Sequence, residues 1–249
     1  MSVCISGGRL AGALPEFYDM RYFYSDEMGE WHYSCGMARQ TLISVYRRHT
    51  TLKTDFDPLL TVIRESSNGS VRGFLLEQLC LQVIMNKGLR FIPNADEDAP
   101  TGPLQREFFL EIPDWSKLID EEPQHSCRLY LPQQFNYANV DGAVLHLVSR
   151  NPKKAHLYLI QVTLAMKHKD SAKHFYEDQW NTWVRGLVSS GWDLESTFLW
   201  IDRSQPKNRK VARKTTPTLR SGEIVVHPGY NVWRTGFGPL DTRFENLLS

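Results

Sequence analysis

The sequence has no apolar run long enough to cross a bilayer as a helix, so it predicts no transmembrane segment. Its start, MSVCISGGRLAG, has neither the basic segment nor the apolar stretch of a signal peptide. We therefore expect an intracellular protein, nuclear or cytoplasmic, with no membrane partner.

Cysteine is scarce and scattered. The cysteines are Cys4, Cys35, Cys80 and Cys127, and no C-x-x-C pair occurs. This spacing disfavours both a zinc site and a disulfide framework, and it favours a reducing compartment.

An excess of charge is also missing, because 29 Lys and Arg face 28 Asp and Glu, for a formal net charge of +1. Overall electrostatics therefore give no argument for a nucleic acid or a membrane, and only local patches remain open. The phosphate-loop pattern G-x-x-x-x-G-K-[ST] does not occur, so the pair Gly7–Gly8 is interpreted as a turn.

The chain does have enough apolar residues, 41% of the sequence, for a sizeable core. Its patterns predict helices over 35–49, 56–65, 70–87 and 171–190 and strands over 127–132 and 196–202. Gly88 is expected to end the third helix. The last helix is expected to have an apolar side made of Phe175, Trp180, Trp183, Leu187 and Val188. Elements mixed in this way predict an α/β (α+β) fold with a small central mixed sheet flanked by helices.

Two apolar runs, DGAVLHLV and AHLYLIQVTL, are separated by the polar link SRNPKK. They predict an antiparallel hairpin with its turn near Asn151–Pro152. Asp141 then lies opposite Gln161 and Thr163, which share one face of the second strand. A carboxylate, an amide oxygen and a hydroxyl are ligands of the kind that Mg²⁺ prefers. The alternative is structural: Asp141 caps a turn, and the other two side chains satisfy neighbouring backbone groups.

Glu77 stands in the middle of the most apolar helix, where burial is expected. Buried carboxylates are rare unless they are paired or bound to a cation. Glu77 is therefore either in a salt bridge, with Arg72 as one candidate, or a further ligand of a cation near Asp141.

The segment KNRKVARKTTPTLR carries six Lys or Arg and no acid. Such a run is usually a solvated loop, and the sharper alternative is a loop that follows phosphates. The candidate phosphate-binding residues are Lys207, Arg209, Lys210, Arg213 and Lys214. The aromatic tail beyond this segment is expected to fold back onto the core.

Three short motifs occur in order along the chain: R-G-x-x-x-E (Arg72, Gly73, Glu77), the hairpin acid Asp141, and Q-V-T followed by a histidine (Gln161, Val162, Thr163, His168). Over residues 65–205 the chain resembles the restriction-endonuclease-like domain of the Crinkler and retrotransposon hot spot (RHS) protein family. The opening SGGRLAGALPEF resembles the segment that ends the P-loop NTPase module preceding that domain. Because the module itself is not in the sequence, the resemblance implies a fragment or a truncated member of the family.

The resemblance implies a nuclease-type core that holds Mg²⁺ or Mn²⁺. It makes Asp141 the principal ligand, Gln161 the second ligand and Glu77 the helix acid. Thr163 stands where active members of the wider superfamily have a Lys that orients the attacking water, and Thr cannot supply that positive charge.

A histidine just past the second strand is the remaining candidate for catalysis. His168 matches the histidine of the family, whereas the adjacent Lys167 has no such counterpart. His168 is either a general base or an ordinary surface residue of the polar stretch KHKDSAKH.

These expectations divide the chain into three segments. Residues 1–64 are a helical segment resembling the end of an NTPase module, residues 65–205 are the nuclease-like core, and residues 206–249 are the basic loop and aromatic tail. The expected function is a metal-dependent, nuclease-like domain that binds nucleic acid and hydrolyses phosphodiesters. One alternative is an inactive module of that fold that binds nucleic acid or protein in a larger assembly. Another is an unrelated structural subunit, because aromatic residues are typical of interfaces.

Overall fold

A computed structural model describes residues 5–6, 9–10, 23–25, 31–33, 60–61, 63–64, 69–90, 92, 95, 97–120, 126–133, 137–164, 171–203, 207–212, 214–218 and 222–244. The chain divides into two compact units, residues 1–79 with 246–249 and residues 80–245. The division falls within helix α1 (Gly69–Lys87), which the sequence predicted almost residue for residue.

The first unit contains short strands that the sequence analysis did not predict. They are β1 (Ile5–Ser6), β2 (Arg9–Leu10), β3 (Phe23–Ser25) and β4 (Trp31–Tyr33). β1 pairs with β2 and β3 pairs with β4, both antiparallel. Aromatic residues favour strands, which agrees with the sequences of β3 and β4. The helix predicted over 35–49 lies outside the described residues.

The second unit is built on a seven-stranded mixed sheet in the order β10-β13-β9-β8-β7-β6-β5. The strands are β5 (Gln105–Phe109), β6 (Cys127–Pro132), β7 (Gly142–Arg150), β8 (Lys153–Val162), β9 (Asp193–Ile201), β10 (Lys207–Val211) and β13 (Tyr230–Thr235). β7 runs antiparallel to β6 and β8, whereas β8, β9 and β13 are parallel neighbours. The mixed α+β architecture is confirmed, with a larger sheet than expected.

Helical segments connect the strands of this sheet. A short helix, α2 (Ser116–Ile119), follows β5. Between β8 and β9 lie α3 (Ser171–His174), a π-helical turn (Phe175–Gln179) and α4 (Trp180–Ser189), which together confirm the helix predicted over 171–190. No helix in the described part of the chain is long and apolar enough to cross a membrane.

The segment from α3 to α4 covers one face of the sheet. Phe175, Trp183 and Leu187 belong to the same buried cluster as Leu157 of β8 and Phe198 of β9. The opposite face meets the end of α1 that belongs to this unit, because a Cβ built on Gly142 would lie 3.1 Å from Cδ2 of Leu81. Helices therefore contact both faces of the sheet.

One expectation for α4 is wrong. Val188 is 56% exposed, although it was assigned to the apolar side with Leu187, which is fully buried. Successive residues of a helix lie about 100° apart, so the residue after a buried one readily turns toward solvent.

The basic segment forms strands instead of the expected loop. Lys207, Arg209 and Lys210 are exposed on β10, which is the edge strand next to β13. β11 (Lys214–Thr218) then pairs with β12 (Gly222–His227) in a separate two-stranded sheet, and Arg213 lies outside the described residues. Lysine on an edge strand is a common protection against pairing with another chain.

Gly88 ends α1, as predicted, and its conformation explains the choice of residue. Its φ is +77°, a region that favours glycine, and a Cβ there would lie 2.3 Å from the carbonyl oxygen of Pro100. We expect Gly88→Ala to lower the free energy of unfolding by about 1–3 kcal/mol.

Urea unfolding followed by circular dichroism measures this difference. Gly73→Ala in the same helix is the matched control, because nothing lies within 4 Å of the added Cβ and the backbone there is helical. Equal stability of the two variants would contradict the steric explanation for Gly88.

Candidate functional site

The hairpin of β7 and β8 places Asp141 where the sequence predicted it. The two strands are antiparallel and joined at Asn151–Pro152, and Gly142 pairs with Ile160. Asp141 immediately precedes that pair and therefore lies beside Gln161, near the end of β8. The predicted hairpin and its register are confirmed.

The carboxylate of Asp141 is bound by two donors from β8. Its Oδ2 accepts hydrogen bonds from Nε2 of Gln161 at 2.8 Å and from the backbone N of Val162 at 2.6 Å. The backbone N of Asp141 donates to the carbonyl oxygen of Ile160 at 2.8 Å. Asp141 is thus locked to the end of β8 through both its backbone and its side chain.

Burial raises the pKa of Asp141 to about 7, although the hydrogen bonds from Val162 and Gln161 act in the opposite direction. Two neutral donors therefore do not compensate for the loss of water around the carboxylate. A cation placed here would favour the ionised form and lower this pKa.

Thr163 follows two residues after Gln161, so the two side chains share a face. Its backbone N donates to the carbonyl oxygen of Ile201 at 3.0 Å, which extends the pairing of β8 with β9 beyond Val162. Thr163 is partly buried, and it lies beside the position where β9 ends.

Two charged residues at this end of the sheet were missed from the sequence. Asp202 directly follows β9 and is only 1% exposed, and its Oδ2 accepts a hydrogen bond from Nη1 of Arg234 at 3.1 Å. The guanidinium of Arg234 also lies 5.2 Å from the ring centroid of Trp200. Because ligands bind at the carboxyl ends of parallel strands, the acid that ends STFLWID was the available signal. Arg234 carried no comparable signal, since it lies in the aromatic tail.

Strand register brings these groups into one line across the sheet. Gln161 pairs with Trp200, Trp200 pairs with Arg234, and Arg234 pairs with Lys207. Directly paired residues share a face, so all four project from the face that carries Asp141. We call Asp141, Gln161, Trp200, Arg234 and Lys207 the cross-sheet row.

The other predicted site residues are not placed in this line. Glu77 belongs to the first unit; it is half-buried, in contrast to the expected full burial, and its Oε1 accepts a hydrogen bond from Nε2 of Gln78 at 2.9 Å. His168 and Lys167 lie outside the described residues.

The groups at Asp141 fit a hydrated hard cation better than a fully enclosed one. They are one carboxylate, one amide and one hydroxyl, and Mg²⁺ is commonly held by one or two carboxylates while it keeps several waters. Gln161 turns its Nε2 toward Asp141, so the amide would have to rotate to present its oxygen. Among the described residues, no group of three or more His, Cys, Asp or Glu side chains is arranged to hold a metal.

Comparison with known proteins gives no match: no family model fits the chain, and no curated protein or solved structure matches it. The functional assignment therefore rests on the residues of the site and their geometry.

Proposed function

We propose that the chain is a metal-dependent, nuclease-type domain that binds nucleic acid and hydrolyses its phosphodiester bonds at Asp141. One observation carries the proposal. The hairpin brings Asp141 and Gln161 within hydrogen-bond distance, at the end of β8 where the parallel strands of the sheet also end. In open α/β sheets, this end is where ligands bind.

The order of elements supports the restriction-endonuclease-like core that the sequence resemblance implied. Helix α1 is followed by β5 and α2, then by the antiparallel strands β6, β7 and β8, then by the α3–α4 segment, and then by β9 parallel to β8; β5 is parallel to β6. The acid stands at the start of the middle strand and the amide near the end of the next.

In this proposal, Asp141 and Gln161 would hold Mg²⁺ or Mn²⁺ together with water. When bound, such an ion polarises a phosphoryl oxygen and helps to ionise a bound water. Thr163 supplies a hydroxyl beside these groups. Lys207 and Arg209 are exposed on β10 and provide positive charge for the phosphates.

A second function is favoured by one specific residue. Thr163 stands where the resemblance implies a Lys in active members of the superfamily. A hydroxyl cannot stabilise developing negative charge as an ammonium does. An inactive module of the same fold, which binds nucleic acid or a protein partner, is therefore the alternative.

The test is incubation of the purified chain with plasmid DNA and with single-stranded DNA and RNA, each with Mg²⁺ or Mn²⁺. We expect cleavage that falls at least about a hundredfold in Asp141→Ala, because the principal metal ligand is lost. Asp193→Ala is the matched control, since Asp193 is an exposed acid at the opposite end of β9.

The outcomes separate the two functions. Cleavage lost only in Asp141→Ala supports the nuclease. Binding without cleavage in the wild-type chain and both variants supports the inactive module. Neither binding nor cleavage of nucleic acid by the wild-type chain would contradict the nuclease and would contradict an inactive module that binds nucleic acid.

A further inference from the structure

We infer that the cross-sheet row is a track for a phosphodiester backbone, in which Arg234 and Lys207 bind phosphates adjacent to the one at Asp141. The inference rests on the proposed function and adds the residues that position the substrate. Arg234 was not among the phosphate-binding residues that the sequence predicted.

The first support is the alignment of the row. It begins at Asp141, directly before β7, and crosses the neighbouring strands β8, β9, β13 and β10, and its members share one face. Trp200 is buried in the core on this face, so the members that a ligand can reach lie on either side of it. Neighbouring strands are spaced by about 4.8 Å, so the three spacings from Gln161 to Lys207 span about 14 Å. One strand of a duplex advances about 3.4 Å along the helix axis per phosphate, and the straight distance between neighbouring phosphates is greater, so the row is long enough for more than one phosphate.

The second support is the way in which Arg234 is held. Asp202 fixes one nitrogen, Nη1, at 3.1 Å, and the ring of Trp200 lies under the guanidinium. An arginine has five N–H donors in a rigid fork that matches phosphate oxygens. The side chain of Arg234 is 29% exposed, so part of the fork is available to a ligand while the rest is oriented by the protein.

The third support is the alternation of side-chain direction along β10, which puts its basic residues on different faces. Lys207 pairs with Arg234 and Arg209 pairs with Val232, so both basic residues lie on the face of the row. Lys210 pairs with Asn231 and lies on the opposite face. The strand geometry therefore distinguishes basic residues that the sequence alone did not distinguish. Lys210 has the same charge as Lys207, lies on the same strand and is also exposed, so it is the matched control.

The experiment measures the affinity of the chain for a fluorescein-labelled single-stranded DNA oligonucleotide, in EDTA, as a function of salt. Each phosphate contact contributes about 0.7 to the slope of log K against log salt for single strands. We expect Lys207→Gln and Arg234→Gln each to reduce the slope by that amount and to weaken binding about fivefold at 0.1 M salt. Lys210→Gln is expected to leave both unchanged.

A second variant controls for an effect of Arg234→Gln on folding. Arg234→Gln removes the cation that hydrogen-bonds to the buried Asp202, whereas Arg234→Gln combined with Asp202→Asn replaces this ion pair by two neutral groups that can still hydrogen-bond. We expect the same reduced slope from the double variant. A purely structural Arg234 would leave the slope of the double variant at the wild-type value, and that result would overturn the inference.

Failure of the inference is distinguishable from failure of the proposed function. If the wild-type chain binds with a salt-dependent affinity and Lys207→Gln changes it no more than Lys210→Gln does, the track is refuted while nucleic-acid binding stands. If the wild-type chain binds no oligonucleotide at any salt concentration, either in EDTA or with Mn²⁺, both the track and the proposed function fail.

Discussion

Replacement of Trp183 by alanine is expected to lower the free energy of unfolding by about 3–5 kcal/mol, the usual effect of deleting a buried aromatic ring. Trp183 is only 2% exposed, and its ring lies 4.9 Å from that of Phe175 and 5.3 Å from that of Phe109, both edge-on. Its Nε1 donates to the hydroxyl of Tyr137 at 3.2 Å. The side chain therefore ties α4 to the strand β5 and to the loop before β7.

Two further variants in the same helix make the measurement specific. Trp183→Phe keeps a ring but loses the hydrogen bond to Tyr137, so we expect a loss of about 1 kcal/mol. Val188→Ala changes an exposed side chain and is expected to stay within about 0.5 kcal/mol of the wild-type value. Chemical denaturation of the three variants should give this ranking. An equal effect of Trp183→Ala and Val188→Ala would contradict the packing described for α4.

The second large effect is expected at Asp141, where the neutral variant Asp141→Asn should be more stable than the wild-type chain at pH 8. Burial raises the pKa of Asp141 from 3.8 to about 7, so the folded chain retains a proton that the unfolded chain releases. Stability is then lost as the pH rises from about 4 to about 7. The full shift corresponds to ~4 kcal/mol, and because the residue is only partly buried we expect about 2 kcal/mol.

The measurement is urea unfolding of both proteins at pH 4.5 and pH 8 without divalent cations. His146 and His156 act in the opposite direction, because burial lowers their pKa values, that of His156 to about 4, and stability is lost as the pH falls below about 6.5. Both proteins contain these histidines, so their effect cancels in the comparison. A stability difference that does not change with pH would contradict the raised pKa of Asp141 in the folded chain.

The sequence predicted the elements that are defined by local pattern. The two apolar runs and the turn at Asn151–Pro152 were sufficient for the β7–β8 hairpin, and with it for the Asp141–Gln161 pair. A hairpin register is set by residues close in the chain, so a local pattern can predict it. The prediction is demanding, because a register error of one residue would have moved every side chain of the strand to the other face of the sheet.

The rest of the site depends on strand order, which a local pattern does not contain. Trp200 reaches Gln161 because β9 lies beside β8, and Arg234 follows because β13 lies beside β9. Their partners are separated by tens of residues in the chain. The basic segment was expected as a loop for a related reason, since only its pairing with β13 makes 207–211 a strand.

Calorimetric titration with Mn²⁺ alone at pH 8 tests the central claim, that Asp141 and Gln161 form a divalent-cation site, most directly. We predict one Mn²⁺ site in the wild-type chain, weakened at least about tenfold in both Asp141→Asn and Gln161→Ala and unchanged in Asp193→Asn, because a hard cation needs the oxygen ligands of this hairpin. At pH 7 the same binding should release a proton, since the cation lowers the raised pKa of Asp141. Equal Mn²⁺ affinity in the wild-type chain and Asp141→Asn would contradict the account.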